Sequence, residues 1–399
     1  MRTLALTEQG LSLHADGELL LVQRGDAVVH RARAEELDQL LVFGRIELSS
    51  GALALLLRRG IDCVLLTSQG SFRGRVVGRG SRNAALRLAQ LHRAAEPDFC
   101  LRFARAVVAA KIKHQREVLL RAQRRLQDEP LANALGQLRL LQGRAEQAES
   151  LDVLRGFEGQ AAAEYFGQFD KLLRNDQFRF ERRSRRPPRD PVNACLSFGY
   201  AVLGSVLETE ILRCGLDPQL GFFHQPDSGR PSLMLDLLEE FRPLVDQLVL
   251  RVVNRRQLGP GDFDRRTGQS LAEILVDQPP QGEPTEPIDI LLGESPPANP
   301  AVAAPPWADA PPAPSDADSS APDAEPPPRD QAAPIVGVYL NATGRKVFLT
   351  EFFHRLRERM FYAPRDASLE FRDIVREQIY HLARVIEQKQ PDYVPFIPS

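Results

Sequence analysis

The alternation of apolar and polar positions changes character along the chain, and the changes mark its elements. Residues 1 to about 90 hold short apolar runs at Leu19–Val22, Leu40–Phe43, Cys63–Leu66 and Phe72–Val77, bounded by Asp16-Gly17, Gly44 and Gly70. Runs of that length between turn formers predict strands. One short helix fits between Ser50, a good N-cap, and Gly60, a good stop. From about residue 95 apolar residues recur every three or four positions, most regularly over Phe99–Leu126, which predicts helices. Further helices are predicted from Ser150 toward Leu173, over Val192–Cys214 up to Gly215, and from about Ser232 with a break or kink near Pro243. Helical pattern returns at Lys346–Met360 and Leu369–Gln388, before Pro391, Pro395 and Pro398.

The pattern predicts an α+β protein with a small N-terminal β-rich domain, 1–92, followed by a larger all-α domain, 93–277. A segment at 278–334 interrupts the second domain, whose C-terminal helical part is 335–399. Residues 271–330 hold 16 of the 31 prolines and twelve Asp or Glu against one Arg. Such a segment cannot bury enough apolar surface to offset its ordering entropy, so a disordered acidic, Pro-rich insertion is expected. Without residues 271–330 the net charge moves from −2 to +9, which suits a polyanionic partner. Many soluble proteins share a basic surface, so charge alone does not decide function.

Cys63, Cys100, Cys195 and Cys214 form no Cys-x-x-Cys pair, which argues against a zinc ribbon and a disulfide framework. They read as small core residues. No apolar run approaches the roughly 18 residues of a membrane span, and the first residues carry no leader pattern. The expectation is a cytoplasmic protein without a membrane partner.

Three segments carry candidate chemistry. In Arg155-Gly156-Phe157-Glu158-Gly159-Gln160, two glycines flank a carboxylate inside a helical pattern. Each glycine costs about 1 kcal/mol there, and close approach of a ligand or a neighbouring backbone is one reason to keep them. The plainer reading of Glu158 is a solvated first-turn acid. In Gly221-Phe222-Phe223-His224-Gln225-Pro226, His224 is either a hydrogen-bonded structural residue or a metal ligand. In Asp236-Leu237-Leu238-Glu239-Glu240 the three acids share one helical sector. They are either the polar side of an amphipathic helix or a metal site, because grouped carboxylates repel unless a cation or proton is present. Taken jointly, oxygen ligands with one imidazole suit Mn²⁺ or Mg²⁺. Spacing alone does not bring the three segments together.

Arg182, Arg183, Arg185, Arg186 and Arg189 crowd one proline-containing loop, which reads as a phosphate-contacting segment or a solvated one. Lys111, Lys113, Arg116 and Arg121 form a basic helical stretch whose plainer reading is a solvated face. The candidate DNA contacts are Lys111, Arg182, Arg183, Arg185, Arg186, Arg189 and Arg242.

The ordered motifs Phe43-Gly44-Arg45, Ile61-Asp62-Cys63-Val64-Leu65-Leu66, Lys111-Ile112-Lys113-His114-Gln115, Arg155 to Gly159, Asp190-Pro191-Val192-Asn193-Ala194, Gly221 to His224, Leu235 to Pro243 and Gly344-Arg345-Lys346 resemble the CRISPR-associated integrases of the adaptation module. They span nearly everything outside the Pro-rich segment. The resemblance implies a β-domain joined to a helical catalytic domain, working as a homodimer on double-stranded DNA, both prespacer and CRISPR repeat. It implies a small ferredoxin-fold partner bridging two dimers, and metal-dependent cleavage and strand transfer by a DNA 3′-hydroxyl. It places Mg²⁺ or Mn²⁺ on Glu158, His224 and Glu239, with Asp236 a further essential acid. His114 stands where the family more often has Asn, and the acidic insertion is unusual for it. A mobile-element integrase and a non-catalytic DNA-binding scaffold are the rival readings.

Overall fold

In the computed structural model, which describes residues 3–68, 70, 72–78, 83–224, 230–267 and 336–398, the N-terminal part is built from two four-stranded sheets. The first runs β1 (Thr3–Leu6), β5 (Gln39–Phe43), β7 (Asp62–Leu66), β8 (Phe72–Val76), with the first three strands parallel and the last antiparallel. The second runs β4 (Ala27–Arg33), β3 (Leu19–Arg24), β2 (Leu11–Asp16), β6 (Glu47–Leu48). Helix α1 (Ser50–Arg59) is capped by Ser49, one residue earlier than the sequence reading placed it, its hydroxyl accepting the Ala52 amide at 3.1 Å. Gly60 ends it at φ 65°, where a side chain would be strained.

The period of two explains why β5 is apolar at nearly every position. Leu40 and Val42 enter a core with Leu13, Leu20, Leu55 and Cys63. Leu41 and Phe43 enter the opposite core with Val64, Leu66 and the helices. A strand covered on both faces loses its alternation. The boundary expected near residue 92 is therefore no break in the core, since one face of the first sheet belongs to the helical part. Polar ties reinforce the join: Gln39 Nε2 donates to Thr209 Oγ1 at 2.6 Å, and Arg75 Nη2 to Glu208 Oε2 at 3.1 Å.

The helical part comprises α2 (Ala84–Ala94), α3 (Pro97–Leu126), α4 (Glu129–Glu146), α5 (Leu151–Gly167), α6 (Pro191–Cys214), α7 (Ser232–Asn254), α8 (Ala342–Arg357) and α9 (Phe371–Ile386). Ser150 caps α5, Asp190 caps α6, and Gly215 stops α6 at φ 98°. Among the described helices, α6 is long and apolar enough by composition to cross a membrane, and most of it is buried in the protein. Pro243 does not end α7, which runs on to Asn254.

Two antiparallel ribbons accompany these helices. β9 (Phe263–Thr267) pairs β10 (Val336–Leu340) with Thr267 opposite Val336, and β11 (Arg359–Tyr362) pairs β12 (Ala367–Glu370). The last two predicted helices are accordingly bounded differently: α8 starts earlier and stops before Met360, which lies in β11, and α9 starts after Leu369, which lies in β12. The α+β class holds. The expected disordered insertion, 278–334, lies outside the described residues.

Candidate active site

The three acids of α7 are neither a solvated face nor one shared site. Asp236 is 0% exposed, Glu239 4% and Glu240 0%. Each takes different partners. Glu240 faces the C-terminal tail, accepting from Tyr393 Oη at 2.8 Å, the Phe396 amide at 3.0 Å and Gln378 Nε2 at 3.3 Å. Burial pushes its carboxyl up to about 8 against these donors. One residue is a 100° rotation on a helix, so Glu239 and Glu240 cannot share a ligand by adjacency alone.

Asp236 organises the loop ahead of its own helix. Its carboxylate accepts the amides of Phe222, Phe223 and His224 at 2.6, 3.0 and 2.9 Å, and His224 Nδ1 at 2.7 Å. Holding the ring by Nδ1 turns Nε2 away from Asp236, as in carboxylate-oriented histidine ligands. Gly221 is what lets the loop lie this close. A Cβ there would meet Asp236 Oδ2, Ser232 backbone carbon and Ser232 Cβ, each at 2.8 Å. Asp236 is thus a positioning residue, closed off from solvent.

Glu158, on α5, and Glu239 meet through Lys111, on α3. The ammonium contacts Glu158 Oε1 and lies 2.6 Å from Glu239 Oε2. Arg242 Nε donates to Glu239 Oε1 at 2.9 Å, and its guanidinium stacks 4.8 Å from the Tyr200 ring centre. Burial alone would raise the Glu239 carboxyl, but Arg242, Lys111 and His224 outweigh it and hold it well below the usual range. Burial likewise opposes the Lys111 charge, and Glu158 with Glu239 more than restores it. Arg155 clamps the histidine loop to α5, donating from Nη2 to the Phe223 carbonyl at 2.9 Å. A Cβ on Gly156 would meet open space, so no neighbouring backbone explains that glycine.

The donor set fits a hard divalent ion in kind: two carboxylates, an imidazole with an orienting acid, and a local demand for positive charge that Lys111 meets. Glu158 and His224 keep side-chain exposures of 25% and 20%, which leaves the group an open side. In geometry the set is looser than a loaded site. Among the described residues, no three His, Cys, Asp or Glu side chains already stand as an ion would hold them.

The basic candidates divide. Arg182, Arg185, Arg186 and Arg189 are exposed. Arg183 turns inward instead, donating to the Ser184 carbonyl and Asn193 Oδ1 at 2.7 Å and to Ser197 Oγ at 3.1 Å, over the Tyr200 ring. Burial pushes its guanidinium down to about 10, and its hydrogen bonds are made inside the protein. Lys111 and Arg242 also point inward: both pair with the carboxylates, Lys111 buried and Arg242 half-buried. Lys111 is 5% exposed and sits on the apolar stripe of α3 with Val107, Val108 and Val118. A charge on that stripe is the signal the sequence offers, and the solvated-face reading does not hold for Lys111. Tyr165 and Tyr200, which both donate to buried Asp246, carried no such signal in the sequence.

The family profile described as CRISPR associated protein Cas1 matches residues 4–277. An endonuclease named Cas1 2 from Rhodospirillum rubrum is 39% identical over 289 residues, covering 70% of this chain and 83% of that protein. A Cas4 exonuclease/Cas1 endonuclease fusion from Geobacter sulfurreducens is 42% identical over 262 residues, 63% of this chain. The chain spans 47% of that fusion's length. Among solved structures, a Cas1 protein from Thermotoga maritima superposes with TM-score 0.69 at 21% identity, covering 98% of this chain and 99% of that one. A casposase bound to its integration product gives TM-score 0.71 at 19% identity, covering 100% and 94%. These two likenesses concern the fold. Motif order, matched profile and close relatives agree: the chain belongs to the CRISPR-associated Cas1 family.

Proposed function

We propose that the protein is a divalent-metal-dependent DNA endonuclease and integrase that inserts spacer DNA into a CRISPR array. The observation that supports this is the meeting of Glu158 on α5 and Glu239 on α7 at Lys111, with His224, oriented by Asp236, close enough to lower the Glu239 carboxyl. Relatives named as Cas1 endonucleases support it. In this reading a free DNA 3′-hydroxyl attacks a repeat-boundary phosphodiester, forming one P–O bond as the opposite P–O bond breaks. Mg²⁺ or Mn²⁺, when bound, supplies charge neutralisation on the phosphodiester and activates the hydroxyl. Glu158, Glu239 and His224 would hold the ion; Asp236 fixes the imidazole; Arg242 fixes the Glu239 carboxylate.

Arg182, Arg185, Arg186 and Arg189 supply exposed charge for the DNA backbone. A homodimer working with a small ferredoxin-fold partner completes the proposal. Solved assemblies of the same fold include one described as a Cas6-RT-Cas1–Cas2 complex, of which this chain covers 36%.

Strand transfer into a repeat-containing plasmid tests the reading. Glu158→Ala, His224→Ala and Glu239→Ala are each expected to abolish transfer while DNA binding persists. Unchanged transfer in all three would leave only a DNA-binding scaffold.

A further inference from the structure

Lys111 stands where the two carboxylates face each other, and this placement has consequences for metal loading. It is 5% exposed and pairs with Glu158 and Glu239 at once. Two carboxylates brought this close repel, and a buried ammonium without partners is equally unfavourable, so each group makes the other tolerable. With Arg242 on the far oxygen of Glu239, two negative and two positive charges balance. Counting also the buried Asp236 carboxylate that holds His224, a divalent ion added to the set would leave one uncompensated positive charge in a largely buried place. One resident cation has to give way.

The geometry says which one. Arg242 is fixed twice, by Nε on Glu239 at 2.9 Å and by stacking 4.8 Å from the Tyr200 ring. Lys111 is a point charge at the end of a flexible four-carbon stem. Its contact with Glu158 lies at the partly exposed side of the site.

We propose that Lys111 is a built-in counter-ion that holds Glu158 and Glu239 together without metal and is displaced from between them when the ion binds, so that it sets the site's metal affinity. This rests on the metal-site reading above and adds to it a competitor supplied by the protein itself.

The test is Mn²⁺ binding to the full chain by titration calorimetry, with thermal unfolding in chelator and in Mn²⁺. Lys111→Met removes the competing charge and keeps much of the volume. It is expected to bind Mn²⁺ more tightly by on the order of 10-fold or more, the scale on which one adjacent charge changes a carboxylate's affinity for a cation. Its metal-free form should melt below wild type, and Mn²⁺ should raise its midpoint further than it raises wild type's. Lys113→Met, which removes a charge from the same helix without touching either carboxylate, should bind as wild type does. Equal affinity in wild type and Lys111→Met overturns the inference, as does an equal gain in Lys113→Met. A Lys111→Met protein unfolded both with and without Mn²⁺ also overturns it, because an ion could then not take the lysine's place. Absence of Mn²⁺ binding to both wild type and Lys111→Met overturns the metal-site reading itself, and this inference with it.

Discussion

His224 Nδ1 lies 2.7 Å from Asp236 Oδ1, and Asp236 is wholly buried beneath the loop that carries the histidine. The same carboxylate accepts three successive backbone amides, so the imidazole and its loop are positioned by one group. The acid therefore holds the loop and the ring together and is itself closed off from solvent.

Removing that acid has two separable effects. Asp236→Ala leaves three amides and a ring nitrogen without their acceptor, and about 3 kcal/mol or more of stability should be lost. Metal affinity should fall by about 10- to 100-fold, the usual effect of losing an orienting partner. Urea unfolding and Mn²⁺ titration measure the two. Stability within about 0.5 kcal/mol of wild type would contradict the loop-cap role.

The arginine loop should split by direction of the side chain. Arg183→Ala should destabilise the fold, since it strips Asn193 and Ser197 of an inward donor. Arg185→Ala and Arg186→Ala should leave the melting midpoint unchanged and weaken DNA binding at all sequences. If each contacts a phosphate, the slope of log affinity against log salt should shrink by about one per residue. Equal destabilisation by all three would refute the division.

Thr267 pairs with Val336, so the two ends flanking the acidic segment are already neighbours. Replacing residues 268–335 with Asn-Gly should close the β9–β10 ribbon as a two-residue hairpin. The melting midpoint and Mn²⁺ affinity are expected to stay at the wild-type values. A large loss of thermal stability would show that the replaced segment packs against the rest of the chain.

His114 gives a pH dependence whose sign is set by burial. Burial pushes the ring down to about 4, while Nδ1 stays on the Glu240 carbonyl at 3.1 Å. The native state keeps the ring neutral, so between pH 6.5 and about 4 the unfolded chain binds the extra proton. Stability from this group is complete above pH 6.5 and falls as pH drops toward 4, by at most about 3 kcal/mol. His114→Asn should lose less stability than wild type over that window, as followed by urea unfolding at pH 7 and pH 4.5. Parallel losses in the two proteins would rule out the ring as the titrating group.

What the chain determines by itself is local. Turn-bounded apolar runs and a three-to-four period come from nearest neighbours in sequence, and they suffice for β3, β5, β7, β8 and most helices. The motif order carries the family, and with it the three candidate ligands. Strands such as β4, largely exposed and rich in Arg and His, lack the burial that would print an apolar alternation. Only the tertiary structure decides what a buried charge is for. Asp236, Glu239 and Glu240 look alike along α7, yet one caps a loop, one joins Lys111 and Arg242, and one holds the tail. Lys111, Arg183 and Arg242 look like surface bases, yet packing of α3, α5, α6 and α7 turns them inward. A charge leaves no trace of its partner in its own neighbourhood of sequence, because that partner arrives from 47 to 128 residues away across the core for Lys111.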